Sequence, residues 1–175
     1  MGKRRNNQID GQFSARTIEM LESPAWRALS LSAHRVFDRI AIELAHHGGN
    51  DNGRLPVTYD QFVEYGIDRQ AIAPAIRELE ALGFVEVTQR GKPSAGGFRW
   101  PNYFRLTCIN CKSTPKPSHE WRTVKTTEEA HQLARMARLA KTKNKSPGWK
   151  SHTVTVGETH TVADNSQGGN PTLLS

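Results

Sequence analysis

The sequence predicts an α+β fold in which helices precede a small antiparallel β-hairpin, and three observations support this class. Apolar residues recur at intervals of three and four in residues 32–46 and 68–82, as in helices that bury one face. Residues 84–89 and 103–108 instead alternate apolar and polar side chains, which is typical of half-buried strands. Gly83 separates the last of these helices from the first strand, and glycine is common just beyond a helix end.

The first core helix is predicted over residues 32–46, after a flexible basic arm in residues 1–12 and a helical lead-in over residues 13–21. The lead-in is expected to end before Ser23-Pro24. The core helix buries an apolar face made of Ala33, Val36, Phe37, Ile40, Ala41 and Leu44.

A short strand at residues 55–57 then leads to two closely spaced helices. Thr58 caps the first of them while Gln61 reaches back three residues, and Gly66 ends it. Asp68 supplies the side-chain oxygen that caps the second, which runs to about residue 82. Helix, tight glycine-containing turn and helix form a helix-turn-helix pattern.

The second of these helices has two unlike sides. Its apolar stripe consists of Ile72, Ala75, Ile76, Leu79 and Leu82. The opposite side carries Gln70, Pro74 and Arg77, with Ala73 beside them and Arg69 nearer the edge of the stripe. Because Pro74 lacks an amide hydrogen, we expect it to bend this helix or delay its start.

The two strands and the glycine- and proline-containing loop between them, residues 90–102, predict a basic β-hairpin. Residues 87–119 contain no aspartate or glutamate. The cations in this stretch are Arg90, Lys92, Arg99, Arg105, Lys112 and Lys116, so we expect the hairpin to be uniformly positive.

These segments together resemble the winged helix-turn-helix DNA-binding domains of bacterial transcription regulators and of phage and plasmid replication proteins. The resemblance is carried by GIDRQAIAPAIRELEALGFVEVTQRG, by the later NYFRLT, and by the upstream LESPAWRALSLSAHRVFDRIAIEL. It covers residues 13–108 and implies a three-helix core with a hairpin wing. The fold serves repressors, activators, replication initiators and interaction modules alike, so it leaves the biological role open.

The resemblance also implies which residues contact DNA. In such domains the N-terminal half of the second helix enters the major groove, which here presents Arg69, Gln70, Ala73, Pro74 and Arg77. The wing residues Arg90, Lys92 and Arg99 would follow the phosphate backbone or enter the minor groove. The alternatives are a solvated helix face and an ordinary exposed hairpin.

Composition agrees with one globular domain flanked by polar segments. A net charge of +7 favours a polyanionic partner, although an RNA or an anionic membrane would fit the charge as well. No apolar run approaches the ~20 residues that span a bilayer, so a cytoplasmic protein without membrane contact is expected. We predict a DNA-binding domain in residues 13–112, a linker in 113–125, a helix in 126–142 and a disordered tail in 143–175.

The sequence gives little support for a metal site, a cofactor or catalysis. Cys108 and Cys111 have the spacing of a zinc knuckle and His119 follows, but structural zinc needs four ligands. The fourth ligand would have to be His131, which lies inside a predicted helix. There is no phosphate-binding glycine loop, nucleophile elbow or carboxylate cluster, so we expect no enzyme activity, and no small-molecule effector is evident.

The C-terminal helix has a narrow face of small residues made of Ala130, Leu133, Ala134, Ala137 and Ala140. This face fits two arrangements, docking on the domain or pairing with its twin in a homodimer. The function expected from the whole chain is sequence-selective binding of double-stranded DNA by a transcriptional regulator, repressor-like in kind. The alternatives are a replication-initiation or conjugal-transfer factor of a mobile element, and a protein-interaction domain with nucleic-acid-binding tails.

Overall fold

The computed structural model describes residues 10–92, 100–112 and 116–140, all of which belong to one compact unit, Met1–Lys141. The predicted α+β class is confirmed. Within the described residues the helices and strands are α1 Ile18–Glu22, α2 Pro24–Arg27, α3 Leu31–His46, β1 Leu55–Val57, α4 Tyr59–Glu64, α5 Arg69–Ala81, β2 Val85–Gln89, β3 Asn102–Leu106 and α6 Thr127–Leu139, with a short 3-10 helix at Glu120–Thr123.

The three strands form an antiparallel sheet in the order β1-β3-β2, so the predicted hairpin is present and β1 extends it. Phe104, at the centre of β3, lies opposite both Leu55 and Val87 and is fully buried. A bulge between Val87 and Gln89 shifts the register near the hairpin loop. We expected the last strand to reach residue 108. It ends at Leu106 because the chain turns there, with Ile109 N–H donating to the Leu106 carbonyl at 3.4 Å.

The N-terminal lead-in differs from the prediction of one helix over residues 13–21. Thr17 accepts a hydrogen bond from the Met20 amide and so starts α1 at Ile18. Ser23 accepts from the Trp26 amide and starts α2, with Pro24 in its first turn, where a missing amide hydrogen costs nothing. Two successive caps therefore divide this segment into two short helices.

The core is built around four aromatic rings from separate parts of the chain. Trp26 packs edge-on against Phe37 and Phe84, each at 5.2 Å between ring centroids, and Trp121 stacks on Phe84 at 6.2 Å. Trp121 is 2% exposed, although it lies in the segment predicted as a linker. The described part of that segment is thus packed against the domain.

Gly83 allows the 3-10 helix that carries Trp121 to lie close to the end of α5. It has a φ of +76°, and a Cβ there would lie 2.7 Å from the Glu120 carbonyl carbon and the Trp121 nitrogen. A side chain at this position would therefore push the 3-10 helix away from the end of α5. The predicted helix stop at Gly83 is confirmed, with Leu82 as the C-cap of α5.

Helix α6 docks on the domain. Ala130 and Ala134 are both fully buried, and their small side chains let α6 lie close against α5 and α2. The sequence allowed the alanine face either to dock on the domain or to pair with its twin in a homodimer. In the structure this face docks on the domain. None of the helices in the described ranges combines the length and apolar character that crossing a membrane requires.

Candidate nucleic-acid interface

The N-terminal half of α5 presents its polar side to solvent. Asp68 caps the helix by accepting from the Gln70 amide at 2.8 Å, and the Gln70 side chain is exposed. Ala73 and Pro74 are partly buried. The helix starts at Arg69, directly after its cap, and runs through Pro74 without interruption. The delayed start that we expected from Pro74 therefore does not occur.

Arg69 forms an ion pair that links α5 to α4. Its guanidinium donates to the Asp60 carboxylate at 2.7 Å, and the two side chains are 53% and 76% exposed. An ion pair this exposed contributes little to stability, because water competes for both partners. The guanidinium of Arg69 can therefore exchange Asp60 for another anion at small cost.

We expect Asp60→Asn to strengthen binding of nonspecific duplex DNA by about twofold to fivefold at low salt, because it removes an anion and releases Arg69. Competition titrations of a labelled duplex measure the change. Glu128→Gln, an equal charge change in the first turn of α6, is the control and should alter affinity less. Equal gains for both variants would show that net charge, and not the position of Arg69, is responsible.

The hairpin lies on the same side of the molecule as this face of α5. Arg90, just after β2, donates to both carboxylate oxygens of Glu80 at 3.1 Å. Glu80 follows Arg69 by eleven positions, which is about three helical turns, so both project from the same side of α5. Arg90 therefore ties the base of the hairpin to the side of α5 that carries Arg69.

Arg77 was predicted to contact DNA, but in the structure its guanidinium is hydrogen-bonded to helix α6. Its Nε donates to the Ala137 carbonyl and its Nη2 to the Arg138 carbonyl, both at 2.9 Å. These carbonyls lie at the C-terminal end of α6, and the side chain is partly buried. The structure thus uses Arg77 to hold α6 against α5.

Of the three predicted wing cations, Arg90 and Lys92 lie in the part of the hairpin that the structure describes. Lys92 is exposed, and its carbonyl accepts from the Trp100 amide at 3.1 Å, which closes the base of the loop. The amide of Gly91 donates to Asn102 at 2.8 Å and reinforces this closure. Arg99 lies outside the described residues.

The expectation of a uniformly positive hairpin is wrong at Arg105. This residue is 9% exposed and donates to Glu86 at 2.6 Å and to Glu120 at 2.8 Å. Burial acts to lower the pKa of Arg105, but the hydrogen bonds to the two carboxylates outweigh it and the pKa is raised. Arg105 therefore joins β3 to β2 and to the 3-10 helix as a structural cation.

The described residues hold no group of three or more side chains placed to bind a metal ion. Burial raises the pKa of the Cys108 thiol to about 11, so this cysteine is protonated at neutral pH. A protonated thiol is a poor nucleophile.

Glu78 is a structurally important residue that the sequence analysis overlooked. It is fully buried, and its carboxylate accepts from the amide and hydroxyl of Ser30 and from Arg138, each at 2.8 Å. A signal for this was present: Glu78 stands three residues after Ala75 and four before Leu82, which places it at the edge of the apolar stripe.

Comparisons of the chain with protein-family models, with curated proteins and with solved structures find no match.

Proposed function

We propose that this protein is a winged helix-turn-helix protein that binds double-stranded DNA sequence-selectively, and that it acts as a transcriptional regulator. Two features of the fold support the proposal. The order α3, β1, α4, α5, β2, β3 places a helix-turn-helix pair directly before a hairpin. The sheet order β1-β3-β2 then anchors that hairpin to the strand that precedes the helix pair.

The observation that carries the proposal is the shared orientation of α5 and the hairpin. An exposed polar helix face by itself has an ordinary explanation as a solvated surface. Here the Arg90–Glu80 ion pair sets the base of the hairpin against the side of α5 that carries Arg69, about a quarter turn from Gln70. A helix that enters the major groove would bring such a hairpin to the adjacent backbone.

The side chains of this surface are assigned to bases or to phosphates according to their chemistry. Gln70 presents an amide that can pair with both the N6 and N7 positions of an adenine, and it is the candidate for base readout. Arg69 and Lys92 are exposed cations and are assigned to phosphates. Arg77 is left out of the readout because its guanidinium already donates to two carbonyls of α6.

Selection of bound duplexes from a random pool tests the proposal. Because phosphate contacts make all such binding dependent on salt, the selection is run at low and near-physiological salt. We expect one sequence motif to be enriched at both. Recovery of duplexes without any shared motif would refute sequence selectivity.

Footprinting of the selected motif in its native DNA then separates the biological roles. A site that overlaps a promoter supports regulation of transcription. Iterated sites at a replication or transfer origin would overturn the regulatory role and favour an initiator instead.

A further inference from the structure

Trp100 differs from the two tryptophans of the core because its side chain lies in solvent. It is 62% exposed, whereas Trp26 and Trp121 are 8% and 2% exposed. The indole ring has a large apolar surface, so leaving it in water forgoes a large gain from burial. Aromatic residues are also enriched where proteins bind their partners. An indole outside the core is therefore a candidate for contact with another molecule.

The backbone of Trp100 is held in place, although its ring is not buried. Its amide donates to the Lys92 carbonyl at 3.1 Å. A Cβ on Gly91 would collide with the Trp100 carbonyl, so only glycine lets the two segments approach this closely. The Gly91 amide in turn donates to Asn102 at 2.8 Å, and Pro101 restricts the residue before it to extended backbone. The fold thus presents the ring from a fixed position at the base of the hairpin.

The ring lies beside the cations of the candidate interface. Lys92, which is bonded to Trp100 through the backbone, is exposed. Arg90, two residues earlier, ties the base of the hairpin to Glu80 of α5. A duplex bound at this surface presents phosphates to the cations, and the sugars that alternate with those phosphates are within reach of a side chain next to Lys92.

The surroundings of Trp100 favour nucleic acid over an apolar protein partner. Among the described residues, the other exposed large apolar side chains belong to the segment before α1 and to α1, α3, α4 and α6 or its caps; they are Phe13, Ile18, Leu31, Val63, Tyr65, Met136 and Leu139. An apolar protein partner is expected to cover a contiguous apolar patch. A single ring among cations instead matches the nucleic-acid backbone, in which charged phosphates alternate with sugars.

We propose that Trp100 packs its ring on deoxyribose sugars of the bound duplex, next to the phosphates assigned to Lys92. The contact is nonpolar, so it strengthens binding without adding to its salt dependence and without selecting a sequence. The inference rests on the proposed function. It adds to that function a hairpin residue whose contribution is neither base readout nor electrostatic attraction.

The salt dependence of binding separates the ring from the cations beside it. A phosphate contact adds about 0.9 to the slope of log affinity against log salt, whereas a nonpolar contact adds nothing. We expect Trp100→Ala in the full-length protein to raise the Kd by about tenfold, which corresponds to about 60 Å² of apolar surface leaving water. The rise should be equal for the selected and the scrambled duplex, with the slope unchanged. Lys92→Gln should instead lower the slope by about 0.9. Trp100→Phe, which keeps a ring, should recover most of the affinity.

Phe13→Ala is the matched control. Phe13 is an aromatic residue that is 65% exposed, and it follows Gln12, which donates to the Ala45 carbonyl of α3. Its removal should leave both affinities and the slope unchanged. Wild-type affinity in Trp100→Ala would overturn the inference, as would a lowered slope, which would mean that the ring only positions Lys92. Weakening on the selected duplex alone would make Trp100 a base-reading residue and overturn it too. Loss of motif preference in the wild-type protein would refute the proposed function instead.

The fluorescence of Trp100 tests the contact in a protein that keeps the ring. Trp149→Phe removes the fourth tryptophan of the chain, and Trp26 and Trp121 are buried. Acrylamide, a small neutral quencher, therefore acts chiefly on Trp100 in this variant. We expect a saturating duplex to protect the emission from acrylamide, and adding Trp100→Phe should abolish that protection. Equal quenching with and without the duplex would show that the ring stays in solvent, which would overturn the proposed contact.

Discussion

Replacing Glu78 with alanine is expected to lower the free energy of unfolding by about 3 kcal/mol. The buried carboxylate accepts hydrogen bonds from the Ser30 amide, the Ser30 hydroxyl and Arg138, so its removal leaves three donors without an acceptor. Ser30 also caps α3 through the Ala33 amide. Because Arg138 is 38% exposed, water can rehydrate its guanidinium, which keeps the cost below that of a fully buried ion pair.

Chemical denaturation measures this loss, and two variants define its cause. Glu78→Gln keeps the shape and one good acceptor, so about half of the loss should remain. Glu80→Ala removes a carboxylate two residues away in the same helix, where it pairs with Arg90 at the surface, and should cost less than about 1 kcal/mol. If Glu78→Ala and Glu80→Ala cost the same, the buried network does not stabilise the fold as described.

Features that depend on a few neighbouring residues were predicted well from the sequence. The capping box of Thr58 and Gln61 forms with both of its hydrogen bonds. Asp68 caps α5, and Gly83 adopts the positive φ that lets the chain leave the helix. In each case the residues that carry the signal also make the contact, so reading along the chain is sufficient.

Features that depend on residues far apart in sequence were not predicted. Asn52 stands in a loop of turn-forming residues, yet its buried side chain exchanges hydrogen bonds with the backbone of Leu106, fifty-four positions away, as donor at 2.9 Å and acceptor at 2.7 Å. Trp121 belongs to the aromatic core although it follows a polar, proline-containing stretch. Nothing local marks either partner, because the fold alone brings them together.

The candidate site shows both situations within one helix. The amphipathic pattern of α5 correctly placed Gln70 on an exposed side. The same pattern placed Arg77 outward, and that direction is right, but α6 occupies the space outside it. A helical wheel gives the direction of a side chain and contains no information on what a later segment places there.

Gln70→Ala is expected to raise the Kd for the selected duplex by about tenfold to a hundredfold, since a bidentate contact to a base contributes about 1–3 kcal/mol of discrimination. The fold should be unaffected. Asp68 caps α5 through the backbone amide of Gln70, which alanine retains, and the glutamine side chain is exposed. Titration of the selected duplex and of a scrambled duplex, both at one stated salt concentration, measures the change.

The scrambled duplex separates base readout from contact with phosphates. Binding that depends on phosphates is insensitive to Gln70, so the Kd for the scrambled duplex should stay within about twofold of the wild-type value. Gln132→Ala, at an exposed glutamine of α6, is the matched control and should leave both affinities unchanged.

Gln70→Ala should also abolish the preference at one base pair of the motif while the others persist, because a side chain in the major groove reads only the bases within its reach. An unchanged Kd for the selected duplex would mean that α5 does not read DNA, whereas equal weakening on both duplexes would make Gln70 a backbone contact.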